Sequence, residues 1–325
     1  MVKPLSKQSA KGSGLVDRSL SLRARSSAGN TWLSSGSSER DSADRTGETQ
    51  PLEYRVLETE EQVGQAMLDE IRHAWRQKQQ DLVIVLLGGR GAQSLHRQLG
   101  ELAAKGTEDR MLASLKVFTQ DALAPMRMDN SFSFVRDFER LLGNEFFAKV
   151  KCFTPMRTDA IDLEAELARY VEDLQGAGGI DIFFLGHGPE SGGASHLAYI
   201  KPNSGARASD LAGVIPISQS ILEHHISKFR AGGAAVNQSD ELECRRASHI
   251  MTLGPAAILG ARRLIQSIVD AGTAPAKRES YRRVLEAKLS SDPDERLRQL
   301  DANPGLWIRQ HRNAVSLILP DVLQA

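Results

Sequence analysis

Short, continuous runs of aliphatic residues that end in glycine recur along this chain and alternate with segments of helical periodicity. Residues 81–89 read DLVIVLLGG and residues 179–186 read GIDIFFLG. The segment before the first run places Val63, Met67 and Ile71 four residues apart, which predicts an amphipathic helix. Strands without polar alternation are buried on both faces, as in parallel sheets. The pattern therefore predicts an α/β fold of three layers, with a mostly parallel, Rossmann-like sheet flanked by helices.

The first 50 residues differ from the rest, because they are rich in Ser, Gly, Arg and Lys and have no sustained period. Such a segment cannot bury enough apolar surface to offset its ordering entropy. We therefore expect residues 1–50 to be a disordered tail and residues 51–325 to form one domain. The first 38 residues hold one acidic residue, Asp17, against six basic ones, as in organellar transit peptides. The expected location is cytoplasmic, with organellar import through the tail as the alternative.

Composition limits the classes of partner. Acidic and basic residues balance at 41 each, so no overall field attracts nucleic acid or an anionic membrane. The two cysteines, Cys152 and Cys244, support neither a disulfide framework nor a cysteine-built zinc site. The apolar runs are far shorter than the roughly 20 residues of a membrane span. We expect a soluble protein, as a monomer or homo-oligomer, with a small-molecule ligand and neither nucleic-acid nor membrane partners.

In a parallel α/β sheet, ligands bind beyond the carboxyl ends of the strands. Residues 86–94, LLGGRGAQS, place Gly88 and Gly89 between a predicted strand and a helix start, where free backbone N–H groups favour a phosphate. Arg90 would add a cation. The same glycines also fit a tight turn without a ligand. The spacing matches neither the P-loop nor the dinucleotide fingerprint, so we expect no nucleotide cofactor.

Two further loops carry residues suited to acid–base chemistry. Asp121 follows the predicted strand that ends at Gln120, and it can be a general base or a turn cap. Residues 186–205 hold His187 and His196, whose side chains titrate near neutrality. A metal site there lacks a well-spaced carboxylate, and Ser195 is not in a nucleophile elbow. General acid–base catalysis by histidine fits this loop better.

Taken in order, these loops resemble the glucosamine-6-phosphate deaminase/isomerase and 6-phosphogluconolactonase superfamily. The resemblance covers roughly residues 55–322 and rests on five segments: LLGGRGAQS, VFTQDA, FFLGHGPESGGASHLAYIKPNSG, SHIMTLGPAAIL and PGLWIRQHRNAVSLILPD. Within it, SHLAYIKPNSG is closer to the deaminase form GHIAFNEPGSS than to the lactonase form GHTASLFPG. The resemblance implies a sugar-phosphate isomerase type of fold, a hexose 6-phosphate as ligand and no cofactor.

The resemblance also implies roles for individual residues. His196 would open the sugar ring by acid–base catalysis, and Asp121 would move a proton between C1 and C2. Phosphate or substrate binding would fall to Gly88, Gly89, Arg90, Gly186, Gly188 and Lys277.

This chain departs from the deaminase pattern at two carboxylates, which are replaced by Ala194 and Lys201. The loop is longer here, and Glu190 is a candidate to supply the lost carboxylate beside His196. An apolar residue near Ile221 stands where the deaminase pattern has an arginine, and Arg90 could replace that charge. Three functions therefore stay open: a phosphosugar isomerase or deaminase, a sugar-phosphate-binding regulatory paralogue without turnover, and a lactonase-like hydrolase.

Overall fold

The computed structural model describes residues 22–27, 29–34 and 51–324, which form two main sheets and surrounding helices. In chain order the strands are β1 (Arg23–Ser27), β2 (Asn30–Ser34), β3 (Glu53–Val56), β4 (Leu82–Leu86), β5 (Leu115–Thr119), β6 (Asp121–Ala124), β7 (Cys152–Thr154), β8 (Ile182–Gly186), β9 (Gly188–Pro189), β10 (Ser195–His196), β11 (Asp210–Pro216), β12 (His249–Leu253), β13 (Arg263–Ile268) and β14 (Ala314–Ile318). The α-helices are α1 (Glu60–Lys78), α2 (Gln93–Lys105), α3 (Asp109–Leu112), α4 (Phe134–Lys149), α5 (Leu163–Gly176), α6 (Gln219–Ala231), α7 (Gln238–Cys244), α8 (Pro255–Gly260), α9 (Ala276–Glu286) and α10 (Pro293–Ala302).

The larger sheet has seven strands in the order β3-β14-β13-β8-β4-β5-β7. Every neighbouring pair in it is parallel. All five side chains of β4 are buried, as the unbroken run Leu82–Leu86 predicts for a strand covered on both faces. Helices cover the sheet, so the predicted three-layer, parallel α/β fold is confirmed.

The direction in which the chain adds strands to the parallel sheet changes between β4 and β8. From β4 the chain adds β5 and then β7 on one side, while β8, β13 and β14 follow on the other side. Loops that leave β4 and β8 therefore diverge and open a crevice at the carboxyl ends of the strands, where ligands of such sheets bind. These are the loops with Gly88 and with Gly186, which the sequence analysis singled out.

The second sheet is antiparallel, in the order β1-β2-β11-β12-β6. The apolar segments AGVIPIS and SHIMTLG form β11 and β12, which lie in this sheet and not in the parallel one. Only Gln120 separates β5 from β6, so the chain passes from one sheet to the other at that residue. In the β6–β12 pair, Asp121 lies opposite Thr252.

The disordered tail predicted for residues 1–50 is wrong for part of that segment. Strands β1 and β2 form a hairpin that adds to the second sheet beside β11. Trp32 is fully buried, and its Nε1 donates to the Ser204 carbonyl at 3.0 Å. Its ring lies against Gly213, where a β-carbon would come within 2.5 Å of the indole. One buried tryptophan thus anchors a polar hairpin. The rest of the predicted tail, residues 1–21, 28 and 35–50, lies outside the described residues.

Two helices, α9 and α10, lie between β13 and β14. Asp292 caps α10 by accepting from the Glu295 backbone N–H, and Pro293 occupies the first turn, where its missing N–H costs nothing. In the described part of the chain, no helix has the length and apolar character of a membrane span.

Candidate active site

A narrow cavity of about 20 Å³ lies at the crevice between the loops that follow β4 and β8. Residues next to both sheets line this cavity, because Asp121 of β6, in the second sheet, also contributes to its wall. The residues that line it are Leu87, Gly88, Gly91, Gln120, Asp121, Phe134, Gly186, His187, His196, Ala198, Tyr199, Lys228, Ser267 and Lys277. Six predicted residues are therefore brought together here: Gly88, Asp121, Gly186, His196, Lys277 and, by its packing on His196, Gly188.

Asp121 begins β6 and is buried, with 3% of its surface exposed. Its Oδ1 has no hydrogen-bond partner among the described residues. Burial raises the pKa of Asp121 to about 7, and the nearby charge of Lys228 opposes part of that rise. A carboxyl group that titrates near neutrality can accept and return a proton, as a general base requires.

His196 lies on β10, directly opposite Gly188 of β9. A β-carbon on Gly188 would overlap the imidazole, so only glycine leaves room for the ring in this position. Neither ring nitrogen of His196 has a hydrogen-bond partner among the described residues. Burial holds the pKa of His196 well below its ordinary value, and the charge of Lys228 lowers it further. The imidazole is therefore neutral and can exchange protons with a ligand in the cavity.

The turn after His196 is strained. Ala198 and Tyr199 have φ of 48° and 56°, in the left-handed region that side chains other than glycine rarely adopt. Thr252 supports this turn, since its hydroxyl donates to the Ala198 carbonyl. Consecutive strained residues persist only where surrounding contacts enforce them, and they are often found at functional sites. Thr252 belongs to the segment SHIMTLGPAAIL, so that segment acts on the site through the His196 loop.

Tyr199 is held beside His196 by a chain of hydrogen bonds. The His225 Nε2 lies 2.8 Å from the Phe132 carbonyl, which can only accept, so Nε2 carries the proton. The Nδ1 of His225 then accepts from the Tyr199 hydroxyl at 3.1 Å. This places the tyrosine ring with its centroid 5.0 Å from that of His196. Tyr199 is a wall of the cavity that the sequence analysis did not identify.

The glycine turn after β4 is held by packing as well as by its backbone conformation. A β-carbon on Gly88 would overlap the Phe134 ring, and Gly89 has φ of 77°. The Ser267 hydroxyl donates to the Gly91 carbonyl at 2.7 Å. These contacts explain the glycines without a ligand, and they also set the turn at the edge of the cavity.

Two lysines line the cavity. Lys277 is buried and forms a salt bridge with Asp270. Although burial acts in the opposite direction, Lys277 and Lys228 hold the pKa of Asp270 below its ordinary value, so this pair is charged. Lys228 on α6 is half-buried, and the charges of Asp270 and Asp121 act on its ammonium without forming a salt bridge to it. Burial lowers the pKa of Lys228 to about 8, and the charge of Lys277 adds to this effect.

Arg90 is not part of the cavity wall. Its guanidinium forms a salt bridge with Glu60 at 2.5 Å, and this hydrogen-bonded partner raises the pKa of Arg90. The role expected for Arg90 as the replacement cation is therefore not supported, because its charge is already paired on α1. No motif in the sequence marks Lys228 as a residue of the cavity, although the helical period places it two turns after Ile221 on the same face of α6.

Glu190 does not take the place expected for it beside His196. Its two carboxylate oxygens accept from the Ser218 hydroxyl at 3.2 Å and from the Ser220 hydroxyl at 2.6 Å. The structure therefore does not support the hypothesis that Glu190 supplies a carboxylate to His196. Ser195, the residue before His196, is also hydrogen-bonded, since its hydroxyl donates to Asn303 Oδ1 at 2.8 Å.

His187 follows β8 directly and lies at the back of the cavity. Its Nε2 is 2.8 Å from the Ser280 hydroxyl, and burial lowers the pKa of His187 to about 3. Across residues 22–27, 29–34 and 51–324, no three His, Cys, Asp or Glu side chains converge as metal ligands. The site thus offers a neutral histidine, a carboxyl group that titrates near neutrality and a lysine that forms no salt bridge within the described part of the chain.

No protein-family model matches this chain, and no curated protein matches it in sequence. Its structure is similar to that of a monomeric glucosamine-6-phosphate deaminase described as a missing link of the NagB superfamily, with a TM-score of 0.61 and 19% identity, covering 83% of this chain and 98% of that one. It is also similar to a 6-phosphogluconolactonase from Shewanella baltica OS155, with a TM-score of 0.55 and 16% identity, covering 84% of this chain and 99% of that one. For a 6-phosphogluconolactonase from Leishmania guyanensis, the TM-score is 0.55 and the identity 17%, covering 85% of this chain and 100% of that one. These structures represent both branches that the sequence resembles, and they confirm the fold.

Proposed function

We propose that this protein binds a hexose 6-phosphate in the crevice between β4 and β8 and moves a proton between C1 and C2 of the open-chain sugar. The observation that carries the proposal is the joint placement of Asp121 and His196. They come from different sheets and both line one cavity at the switch point of the parallel sheet. The likeness to solved phosphosugar enzymes supports the same class of substrate.

The two side chains have complementary protonation states. Neutral His196 can take the proton from the C1 hydroxyl and donate its other proton to the ring oxygen, which opens the ring. Asp121, with a pKa of about 7, can then remove the C2 proton and return it to C1. With a 2-amino sugar this gives an imine at C2, and addition of water releases ammonia and the ketose 6-phosphate. A hexosamine 6-phosphate is therefore the preferred candidate substrate.

Substrate binding requires the cavity to widen. Small-molecule sites usually measure about 300 Å³ or more, whereas this cavity holds about 20 Å³. The loop that carries His196 is tied to α9 by the hydrogen bond from Arg283 Nη1 to the Gly192 carbonyl at 2.7 Å, so its movement requires that bond to break. We propose that the ligand displaces this loop and that Thr252 restores the turn at Ala198 when the loop closes.

The test is a panel of glucosamine 6-phosphate, fructose 6-phosphate and 6-phosphogluconolactone, with ammonia, ketose and acid as the measured products. The proposal expects turnover of an aldose or ketose phosphate that is lost in Asp121→Asn and in His196→Gln. Turnover of the lactone alone would replace the proposal with a hydrolase, in which neutral His196 activates water.

A second candidate is a sugar-phosphate-binding module without turnover. It is favoured by the hydrogen bonds of Glu190 to Ser218 and Ser220, which leave His196 without an orienting carboxylate. Loss of such an orienting group commonly reduces rates by orders of magnitude. Binding of glucosamine 6-phosphate measured by calorimetry, with no product after prolonged incubation, would establish this candidate and exclude catalysis.

A further inference from the structure

We propose that a second ligand site lies at the amino ends of the central parallel strands and that it binds a sugar bisphosphate. An open groove of about 860 Å³ lies there, between the C-terminal half of α1 and the first residues of β4, β8 and β13, which are Leu82, Ile182 and Arg263. We call it the amino-end groove. Its size falls in the range of about 300–1,000 Å³ that is usual for small-molecule sites. The inference is independent of the proposed function, because the cavity with Asp121 and His196 lies at the opposite, carboxyl ends of these strands.

The lining of the amino-end groove is positively charged, although the chain as a whole has no net charge. Its lining residues include five cations and three carboxylates, namely Arg55, Arg76, Lys78, Arg262 and Arg263 against Asp69, Glu70 and Asp181. One of these carboxylates, Asp69, is also paired with Arg72 Nη1 at 2.9 Å. A concave surface with an excess of one charge raises the local concentration of ligands of the opposite charge. The groove therefore favours an anionic ligand.

The other two carboxylates of the groove already have close partners. Glu70 accepts from Nε and Nη2 of Arg263 at 3.2 and 3.0 Å. Asp181 accepts from Lys78 Nζ at 2.6 Å and from the Val83 backbone N–H at 2.8 Å. Arg263 and Lys78 thus hold the end of α1 against the strands, and the remaining cations carry the excess charge.

Three arginines on separate elements keep N–H donors for a ligand. Arg55 of β3 contacts Glu70 at 3.5 Å, and Arg262, just before β13, contacts Asp181 at 3.4 Å. Their side chains are 45% and 68% exposed. Arg76 on α1 is exposed and forms no salt bridge within the described part of the chain. Each guanidinium has five N–H donors in a fork that matches phosphate. Because the three forks surround one groove from three elements, they fit a ligand with two phosphate groups.

The rest of the lining favours a sugar as the body of that ligand. His73 and Gln77 on α1 are exposed polar side chains that can form hydrogen bonds with hydroxyl groups. No Phe, Tyr or Trp is among the lining residues in the described part of the chain. A nucleotide base would therefore find no aromatic ring on which to stack.

The experiment is calorimetric titration of the full chain with fructose 1,6-bisphosphate, with ADP and inorganic phosphate as comparison ligands. Arg76→Met and Arg262→Met should each weaken binding of fructose 1,6-bisphosphate by about 10-fold or more, as expected for the loss of hydrogen bonds to a charged group. Arg298→Met is the matched control, because the Arg298 side chain is 67% exposed and pairs with Glu295 on α10, outside the groove. It should bind like the wild type, and ADP and inorganic phosphate should bind more weakly than fructose 1,6-bisphosphate.

Hydrogen exchange locates the bound ligand, since fructose 1,6-bisphosphate also carries a 6-phosphate that can enter the cavity around His196. Exchange should slow at residues 73–78 and 261–264, which border the amino-end groove. Protection confined to residues 186–205 would place the ligand in the cavity and overturn the inference.

The titrations can also contradict the inference. Equal affinity in the wild type, Arg76→Met and Arg262→Met would overturn it, as would the absence of saturable binding by the wild type. Tighter binding of ADP than of fructose 1,6-bisphosphate would overturn the assignment of a sugar bisphosphate. Arg76→Lys keeps the charge and should retain most of the affinity, which distinguishes lost binding from lost folding.

Discussion

His196 and Gly188 face each other across the short β9–β10 pair, and the imidazole occupies the space that a β-carbon on Gly188 would need. Gly188→Ala should therefore displace the ring and reduce kcat by about 100-fold or more, because a misplacement of about 1 Å at a reacting group has that effect. Gly260→Ala is the control, since its β-carbon would meet nothing within 4 Å. Equal rates for Gly188→Ala and the wild type would show that His196 is not the reacting group.

The activity should have a bell-shaped pH profile. Asp121 acts as a base only when deprotonated, so kcat/KM should rise as the pH approaches its pKa of about 7. Lys228 loses its charge as the pH passes its pKa of about 8, and an anionic ligand should then bind the cavity more weakly, so kcat/KM should fall above that pH. Lys228→Arg should move the alkaline limb to higher pH, because arginine does not titrate there. The other charged or titratable groups near Lys228 are Asp270, Lys277, His187, His196, His224 and His225. An unchanged alkaline limb in that variant would assign it to one of these groups.

Asp121 should also make the stability of the protein depend on pH. Burial raises its pKa from 3.8 to about 7, so the folded state binds more protons than the unfolded state between these values. Its contribution to stability is thus fully present below pH 3.8 and is lost as the pH rises through about 7. Asparagine cannot ionise, so Asp121→Asn removes this loss. The urea midpoint of the variant minus that of the wild type should therefore be larger at pH 8 than at pH 5. A difference that does not vary with pH would contradict the raised pKa.

The hairpin of β1 and β2 should contribute measurably to stability through Trp32. Truncation of a buried tryptophan to alanine costs about 3–5 kcal/mol of the free energy of unfolding. Trp32→Ala should show a loss of this size in urea unfolding, and Tyr54→Ala, at an exposed tyrosine on β3, should show little change. A loss under about 0.5 kcal/mol for Trp32→Ala, the range of surface substitutions, would mean that the hairpin does not dock in solution.

The parallel sheet could be predicted because its strands are read from local runs of aliphatic residues. LVIVL and IFFLG are continuous because both faces of the sheet are covered, and the loops after them hold the site. The second sheet could not be predicted, because β6 follows β5 after one residue and no change in the apolar pattern marks it. The hairpin was missed because Trp32 and Gly213, which pack together, are 181 positions apart in a chain segment otherwise rich in polar residues.

The site was predicted in part for similar reasons. Asp121 and His196 follow strands, so strand position and side-chain chemistry were enough to select them. The partners of Glu190 and Arg90 depend on the packing of α6 and α1, which sequence order does not reveal. Lys228 carries no motif, and its place in the cavity follows only from how α6 crosses the glycine turn.

The central claim is that Asp121 moves the C2 proton of a hexose 6-phosphate. Proton NMR in D₂O measures this directly, with glucosamine 6-phosphate as substrate and with the wild type and Asp121→Asn at equal concentration. The account predicts that the wild type incorporates deuterium at C1 of the ketose product or at C2 of the remaining substrate, and that Asp121→Asn does so at least about 100-fold more slowly. Deuterium incorporation at the wild-type rate in Asp121→Asn, or none in a wild type that binds the sugar, would contradict it.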